Sequence, residues 1–230
     1  MSPANVSAQP AMLFDLDGTL LDSVYQHVLA WHETLEEAGF GLSVWRIHRR
    51  IGMSGGLFLR ALERETGREV TDDMAQKLRA SHAEAYVRRL DQVRPLPGAR
   101  DLLQTLTAMG VPWAIATSGS DKTAHPALDM LGVGKEVPVI TRDQVTYAKP
   151  NPDLFLAAAA RLGVNPQESF VVGDSIWDLL AATRATGIGV GLLSGGYGRE
   201  ELERAGAYRV YEDPADLLAH LDELGIRSIS

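Results

Sequence analysis

The sequence contains no cysteine, which excludes disulfide bonds and thiolate metal sites. It also has no apolar run that approaches the ~20 residues of a membrane-spanning helix. The first ten residues lack the basic start and the apolar core of a secretory signal, so we expect a cytoplasmic protein. Lysine and arginine (22) are fewer than aspartate and glutamate (30), and the formal net charge of -8 disfavours a nucleic acid or an anionic membrane as the main partner.

The length of the chain, 230 residues, allows one domain with a smaller domain inserted into it. A hydrophobic content of 45% and a charged content of 23% are typical of globular proteins. The net charge remains compatible with a small anionic substrate, because a binding site can be positive locally. The sequence gives no indication of the oligomeric state.

A short apolar run, 11–14, leads into two aspartates and a glycine turn, and the pattern predicts a strand over 11–16. On an extended backbone the side chains of Asp15 and Asp17 point to the same side, and Leu16 points to the other. Two carboxylates this close repel each other, so a cation between them or a proton on one of them is needed. The pair is a candidate catalytic site, although aspartates at a strand end can also cap the next helix.

The pattern between Ser23 and Pro95 is helical, with no strand signal. It predicts helices over 24–38, 57–65 and 72–90, with a shorter segment that ends at Arg50. Such a block inside an α/β chain indicates an insertion. We therefore predict a helical domain over 23–94 and a core domain formed by 1–22 and 95–230, with hinges near 22–23 and 95–98.

From Ala99 onward, helical and strand patterns alternate, as in the βα units of a parallel sheet. The predicted strands are 112–117, 138–141, 169–173, 188–193 and 208–211, and the predicted helices are 99–109, 122–131, 153–162, 176–185 and 214–224. Segment 11–16 is expected to join this sheet centrally. In such sheets ligands collect at the carboxyl ends of the strands.

Three further strand ends carry reactive groups. The first ends in Thr117-Ser118-Gly119-Ser120, whose hydroxyls and amides form a good phosphate cradle, while Ser120 is expected to cap the next helix.

The second and third groups are a lysine and an aspartate pair. Lys149 stands before Pro150-Asn151-Pro152, where the prolines fix its approach to a helix, and only four lysines occur in the chain. Asp174 and Asp178 follow the 169–173 strand, spaced by one helical turn. Taken separately, Lys149 is also compatible with a lysine on the protein surface. Asp174 and Asp178 are likewise compatible with the carboxylates that many helices carry at their N-terminus.

Taken in order, Asp15-x-Asp17-Gly-Thr, Thr117, Lys149-Pro-x-Pro-Asp and Gly-Asp174-x-x-x-Asp178 resemble the four motifs of the haloacid dehalogenase (HAD) superfamily. The resemblance covers nearly the whole chain, and the helical block lies where this superfamily carries its C1 cap. Within the superfamily the chain is most similar to the β-phosphoglucomutase and phosphoglycolate phosphatase group. The resemblance implies an α/β, Rossmann-like core with an inserted α-helical cap.

The implied activity is that of a phosphatase that needs Mg²⁺ and cleaves small phosphorylated metabolites through an aspartyl phosphate. The alternative is a sugar-phosphate mutase, an isomerase. A non-catalytic phosphate-binding role is disfavoured because Asp15 and Asp17 are both present. Haloacid dehalogenases lack the second aspartate, and phosphonatases need a cap lysine, for which only Lys77 is available.

The resemblance also implies a role for each site residue. Asp15 would be the nucleophile and a metal ligand, Asp17 a general acid and base that ligates Mg²⁺ through its main-chain carbonyl, and Asp174 a third ligand. Thr117, Ser118 and Gly119 would bind the phosphoryl group, Lys149 would neutralise its charge, and Asp178 would support Lys149 or a metal-bound water.

The cap residues are less specific. His27 lies twelve residues after Asp15, where β-phosphoglucomutases carry a histidine, although a helix-surface histidine is equally compatible. Arg49, Arg50 and the glycine loop 52–56 fall where those mutases bind a second phosphate. Gly55 replaces the basic residue expected there, so we predict that Arg49 or Arg50 supplies the charge for substrate binding.

Overall fold

A computed structural model describes residues 10–227 of the chain. In chain order the strands are β1 (Ala11–Phe14), β2 (Leu21–Asp22), β3 (Arg94–Pro95), β4 (Trp113–Ala116), β5 (Val139–Ile140), β6 (Ser169–Gly173), β7 (Ile188–Leu192) and β8 (Ala207–Tyr211). Six of them form a parallel sheet in the order β5-β4-β1-β6-β7-β8, and β2 pairs with β3 in a small antiparallel sheet. The predicted parallel sheet is confirmed.

Strand β1 lies at the centre of the sheet because it is apolar on both faces. Its four residues are all buried. Met12 and Phe14 pack on one side of the sheet and Leu13 on the other, in separate hydrophobic clusters. A parallel strand covered on both faces reads as an unbroken apolar run, as this segment does.

In chain order the helices are α1 (Val24–Glu37), α2 (Val44–His48), α3 (Gly55–Thr66), α4 (Asp72–Val87), α5 (Ala99–Ala108), α6 (Asp121–Leu131), α7 (Asp153–Leu162), α8 (Ile176–Arg184), α9 (Arg199–Arg204) and α10 (Pro214–Ala219). Helices α5, α6 and α10 contribute to the cluster on one face of the sheet, and α7 and α8 to the cluster on the other. The sheet is therefore a central layer between two helical layers. None of the helices in the described range is both long and apolar enough to cross a membrane.

Helices α1 to α4 lie between β2 and β3, within the segment for which an inserted domain is predicted. They share a hydrophobic core that includes Val28, Trp31, Leu35, Phe58 and Leu62. Side-chain caps set two of the helix starts, since Ser54 accepts a hydrogen bond from Leu57 N and Thr71 accepts one from Met74 N. We call this segment, α1 to α4, the helical insertion.

The structure differs from the predicted helices in two places. Helix α10 ends at Ala219 and continues as a 3₁₀ turn, Leu221–Leu224, so the predicted helix over 214–224 is too long. Helix α9 was not predicted, because it is a polar helix of six residues with one buried side chain, Leu202. Such a helix has no apolar periodicity to detect.

Candidate active site

The adjacent strands β4, β1 and β6 bring three sequence-predicted groups to one edge of the sheet. Asp15 follows β1, Thr117 follows β4 and Asp174 follows β6. Because the three strands are parallel, their carboxyl ends meet at the same edge. Lys149 and Asp178 reach the same place from the loop before α7 and from the first turn of α8. All five side chains are buried.

Lys149 connects two of the carboxylates. Its ammonium contacts Asp15 Oδ1 and lies 2.7 Å from Asp178 Oδ1. Burial alone would lower the pKa of Lys149, but Asp15 and Asp178 together raise that pKa above its ordinary value. The lysine therefore carries a positive charge between the two carboxylates.

Asp178 has two structural roles at once. Its Oδ2 atom accepts hydrogen bonds from Ser175 N at 3.1 Å and from Ser175 Oγ at 2.5 Å, which caps helix α8. Its Oδ1 atom faces Lys149. Capping and support of the lysine, treated as alternatives in the sequence, are thus both satisfied by this residue.

The carboxylates of Asp15, Asp174 and Asp178 can each place an oxygen within 4.8 Å of the other two. Burial raises the pKa of Asp15 to about 7 against the opposing effect of Lys149, while Asp178 and Asp17 add to the rise. Burial also raises the pKa of Asp174 well above its usual range, with Asp178 and Asp15 adding to the rise. One lysine does not balance three buried carboxylates.

The donor set fits a hard divalent cation. The three side chains of this cluster offer carboxylate oxygens, the ligands that Mg²⁺ prefers. Asp174 is held by a hydrogen bond from Thr19 Oγ1 to its Oδ1, at 2.9 Å. Two glycines let the backbone pack closely against Asp174 Oδ2: a β-carbon on Gly195 would collide with this carboxylate, and one on Gly18 would come 2.5 Å from Oδ2.

Asp17 is held through one of its two oxygens. Oδ1 accepts a hydrogen bond from Ser23 Oγ at 2.6 Å and lies 3.2 Å from His27 Nε2. Oδ2 points toward the loop after β4, since a β-carbon on Gly119 would lie 3.9 Å from it. Burial would raise the pKa of Asp17, but His27 and the hydrogen bonds from His27 and Ser23 lower it overall. Without a bound substrate, the carboxylate of Asp17 is therefore ionised at neutral pH.

The loop after β4 has a different hydrogen-bond pattern from the one expected. Thr117 Oγ1 accepts a hydrogen bond from Gly119 N at 2.9 Å, and Ser118 Oγ donates to Gly52 O of the helical insertion at 3.0 Å. Ser120 occupies the N-cap position of α6, but its side chain makes no capping hydrogen bond. The prediction that its hydroxyl caps the helix is wrong.

A cavity of about 680 Å³ lies between the helical insertion and the edge of the sheet. The predicted residues that line it are Asp15, Asp17, His27, Arg50, Thr117, Ser118 and Gly119. Residues not singled out in the sequence also line it, among them Trp31, Phe58, Arg79, His82 and Arg142. The nucleophile candidate therefore faces a space closed on one side by the insertion.

Of the two arginines predicted to bind substrate, Arg49 is not among the residues that line the cavity. Its guanidinium pairs with Glu201 and lies 4.0 Å from the ring centroid of Tyr197. Its main-chain oxygen accepts hydrogen bonds from Tyr197 Oη at 3.0 Å and from Trp177 Nε1 at 3.3 Å. Arg49 joins the insertion to the core. The neighbouring Arg50 does line the cavity, and its guanidinium contacts Glu65, which is not among the lining residues.

Sequence reasoning missed the partners of His27. His27 Nδ1 lies 3.2 Å from His82 Nε2, and the His27 ring stacks on Tyr86. A signal was available, because Trp31 follows His27 by four residues on α1, and Tyr86 follows His82 by four residues on α4. Residues at this spacing share one helix face. Which helix packs against which could not be known from the spacing.

A parallel sheet with buried acidic groups and a lysine at its carboxyl edge, below a helical insertion, defines an enzyme of the Rossmann-like α/β class. The comparisons with known proteins agree. A model of the family described as haloacid dehalogenase-like hydrolase matches residues 10–186.

Hexitol phosphatase A of Escherichia coli (strain K12) is 34% identical over 175 residues, covering 75% of this chain and 78% of that protein. Phosphoglycolate phosphatase of Rhodospirillum rubrum is 31% identical over 214 residues, covering 90% and 88%. The crystal structure of a hydrolase from Pseudomonas syringae is similar with a TM-score of 0.92 and 56% identity, covering 94% of this chain and 99% of that one. The chain therefore belongs to the family of haloacid dehalogenase-like hydrolases.

Proposed function

We propose that this protein is a phosphatase that depends on Mg²⁺ and hydrolyses small phosphomonoesters through a phosphorylated Asp15. The observation that carries the proposal is the position of Asp15, a buried carboxylate that contacts Lys149, belongs to an acidic cluster and lines the cavity together with Thr117. A nucleophile, a fixed cation and hydrogen-bond donors for an anion converge there.

In the first step an Asp15 oxygen attacks phosphorus as the bond from phosphorus to the ester oxygen breaks. A bound anionic phosphate next to Asp17 favours the protonated form of its carboxyl, so Asp17 takes up a proton as substrate binds. It then donates that proton to the leaving oxygen from Oδ2, the oxygen that faces the Gly119 loop. In the second step Asp17 takes a proton from water, which attacks the phosphorus of the aspartyl phosphate and restores Asp15. Both steps have the in-line geometry of phosphoryl transfer.

The binding roles follow from the same placement. Thr117, Ser118 and Gly119 hold the phosphoryl oxygens, and Lys149 offsets their charge and that of Asp15. Asp15, the main-chain carbonyl of Asp17 and Asp174 would hold Mg²⁺, with Asp178 supporting Lys149. When bound, the ion supplies Lewis-acid stabilisation of the phosphoryl charge.

The helical insertion acts as a cap, with boundaries at 22/23 and 94/95. The small β2–β3 sheet lies at both connections, where hinges are expected. Beyond them the insertion reaches the core again through hydrogen bonds from Ser118 Oγ to Gly52 O and from Ser54 N to Lys149 O, at 3.0 and 2.8 Å. A cap that touches the phosphate-binding loop and the lysine can close the site against water.

The substrates we propose are sugar phosphates or phosphoglycolate, in line with the activities in the names of the related phosphatases. The formal charge of -8 makes a nucleic acid or an anionic membrane an unfavourable partner. Specificity among small esters would come from the cap side of the cavity, since the phosphate itself is common to all of them.

Phosphate release from a panel of such esters, with Mg²⁺ and with a chelator, tests the proposal. We expect release that requires the metal and is absent in Asp15→Asn. Interconversion of sugar-phosphate isomers without free phosphate would replace the hydrolase with the mutase alternative. Release that is insensitive to the chelator would contradict the metal site.

A further inference from the structure

Two histidines of the helical insertion connect Asp17 to helix α4. His27 Nε2 lies 3.2 Å from Asp17 Oδ1, and His27 Nδ1 lies 3.2 Å from His82 Nε2. Both distances join ring nitrogens to polar atoms at hydrogen-bond range. Both nitrogens of His27 are therefore engaged, one by the carboxylate and one by the second histidine.

The aromatic neighbours hold the two rings in place. The His27 ring lies parallel to Tyr86, with centroids 3.7 Å apart and an interplanar angle of 4°. The His82 ring stacks on Trp31 at 4.2 Å and 12°. Rotation of either ring would break a stack as well as a hydrogen bond. The geometry of the pair is thus fixed from both sides.

The hydrogen-bond pattern directs a donor at Asp17. Burial lowers the pKa of His82 well below its ordinary value, and the charge of His27 lowers it further, so His82 is neutral. A neutral His82 can donate to His27 Nδ1 or accept from it, because a neutral imidazole has one N–H and one lone pair. When His82 donates, a neutral His27 carries its own N–H on Nε2 and donates it to Asp17. When His82 accepts, His27 donates from both nitrogens only as an imidazolium.

We propose that His82 is a positioning residue for Asp17, acting through His27 to hold the carboxylate with Oδ2 toward the leaving oxygen of the substrate. The inference rests on the proposed function, in which Asp17 protonates that oxygen. Ser23 and His27 hold Oδ1, and Oδ2 faces Gly119. His82 is needed because His27 alone could turn its Nε2 away from Asp17.

His82 also lines the cavity and packs on Trp31, so a purely structural role must be separated from positioning. His82→Phe keeps an aromatic ring on Trp31 and removes the nitrogen that contacts His27. His82→Gln places an amide near the position of Nε2, where it can replace the hydrogen bond. The shorter His82→Asn has the same amide but does not reach His27.

The test compares kcat/KM for two esters, because this ratio reports only the steps through expulsion of the leaving group. An alkyl ester, glycerol phosphate, needs protonation of its leaving oxygen, whereas p-nitrophenyl phosphate expels a stable phenolate. We expect His82→Phe to lower kcat/KM for glycerol phosphate about 10-fold, less than the roughly 10²–10⁴-fold contribution of a general acid itself. The loss on p-nitrophenyl phosphate should be within about 3-fold, and His82→Gln should recover most of the difference.

Equal losses on both esters in folded His82→Phe, or His82→Gln as impaired as His82→Phe, would overturn the proposal. If His82→Phe does not fold, the comparison of His82→Gln with His82→Asn decides in the same way, since only the longer amide should preserve the alkyl ester. A wild-type enzyme that releases no phosphate from either ester with Mg²⁺ would remove the proposed function, and the role of His82 with it.

Discussion

Lys149 and Asp178 form an ion pair, with 2.7 Å between Nζ and Oδ1, in which neither side chain is exposed to solvent. Asp178 is fixed by Ser175 at the start of α8, and the lysine also contacts Asp15. The helix cap thereby orients the lysine that faces the nucleophile candidate. The same contacts therefore define the start of helix α8 and orient the charged groups of the site.

Asp178→Asn should therefore be destabilising as well as inactivating. If the amide oxygen keeps the contacts to Ser175, the NH₂ group faces the ammonium of Lys149 and the ion pair is lost. Breaking a buried pair costs about 3–5 kcal/mol. Denaturant unfolding without metal measures the loss.

Asp153→Asn is the matched control. Asp153 is an aspartate in the first turn of α7 and makes no ion pair among the described residues, so we expect its replacement to cost roughly 1 kcal/mol or less. Similar costs for both variants would contradict the role of Lys149.

Asp15→Asn should abolish turnover and preserve the fold. The amide keeps the shape of the side chain but is not a nucleophile toward phosphorus. Phosphate release measures activity, and far-ultraviolet circular dichroism with a thermal melt measures folding. A purified variant with a near-normal rate would contradict the mechanism.

Asp174→Asn should raise the melting temperature of the protein in metal-free buffer near pH 8. A carboxyl whose folded pKa is raised costs stability once the pH exceeds its unfolded value, because the folded state must then either ionise a buried group or keep a proton. Asparagine removes that cost and can still accept the hydrogen bond from Thr19. A rise of a few degrees is expected, since about 1 kcal/mol corresponds to roughly 2–4 °C at this chain length.

Magnesium provides the control for this prediction. Mg²⁺ should stabilise the wild type, because a ligand that binds only the folded state raises its stability. It should stabilise Asp174→Asn much less. A wild type with the same melting temperature with and without Mg²⁺, or a variant that responds equally, would count against Asp174 as a metal ligand.

Most of the sheet could be predicted because its strands are buried on both faces. Residues 11–14 form an apolar run, and a central place in the sheet follows from that. The residues at the strand ends could be predicted for a related reason. Asp15 and Asp174 stand at the ends of apolar runs, and burial of a charge there is costly unless the charge is paired or binds a cation.

The rest depends on tertiary contacts that local patterns do not contain. His82 is identified only by the packing of α4 on α1, which brings its ring to His27. Arg49 and Arg50 are adjacent and chemically identical, and no local pattern distinguishes Arg49, which pairs with Glu201, from Arg50, which lines the cavity.

Asp17→Asn should lower the rate by roughly 10²–10⁴, the usual contribution of a general acid or base. The amide can still accept a hydrogen bond from Ser23, so the change removes proton transfer more than structure. The dependence of kcat on pH measures the effect: the wild type should show a limb that the variant lacks. An unchanged pH profile would show that another group moves the proton.

Arg49→Ala and Glu201→Ala should weaken the docking of the helical insertion on the core, and should therefore change catalysis similarly for every substrate. The pair is partly exposed, with side-chain exposures of 34% and 44%, so we expect a coupling of about 0.2–1 kcal/mol between the two residues. The double variant should be less destabilised than the sum of the two single variants.

KM and kcat for an anionic ester and for p-nitrophenyl phosphate measure the effect on catalysis. Arg50→Ala is the matched comparison, because Arg50 lines the cavity and its loss should raise KM for the anionic ester selectively. A selective loss in Arg49→Ala with none in Glu201→Ala would mean that Arg49 binds substrate after all.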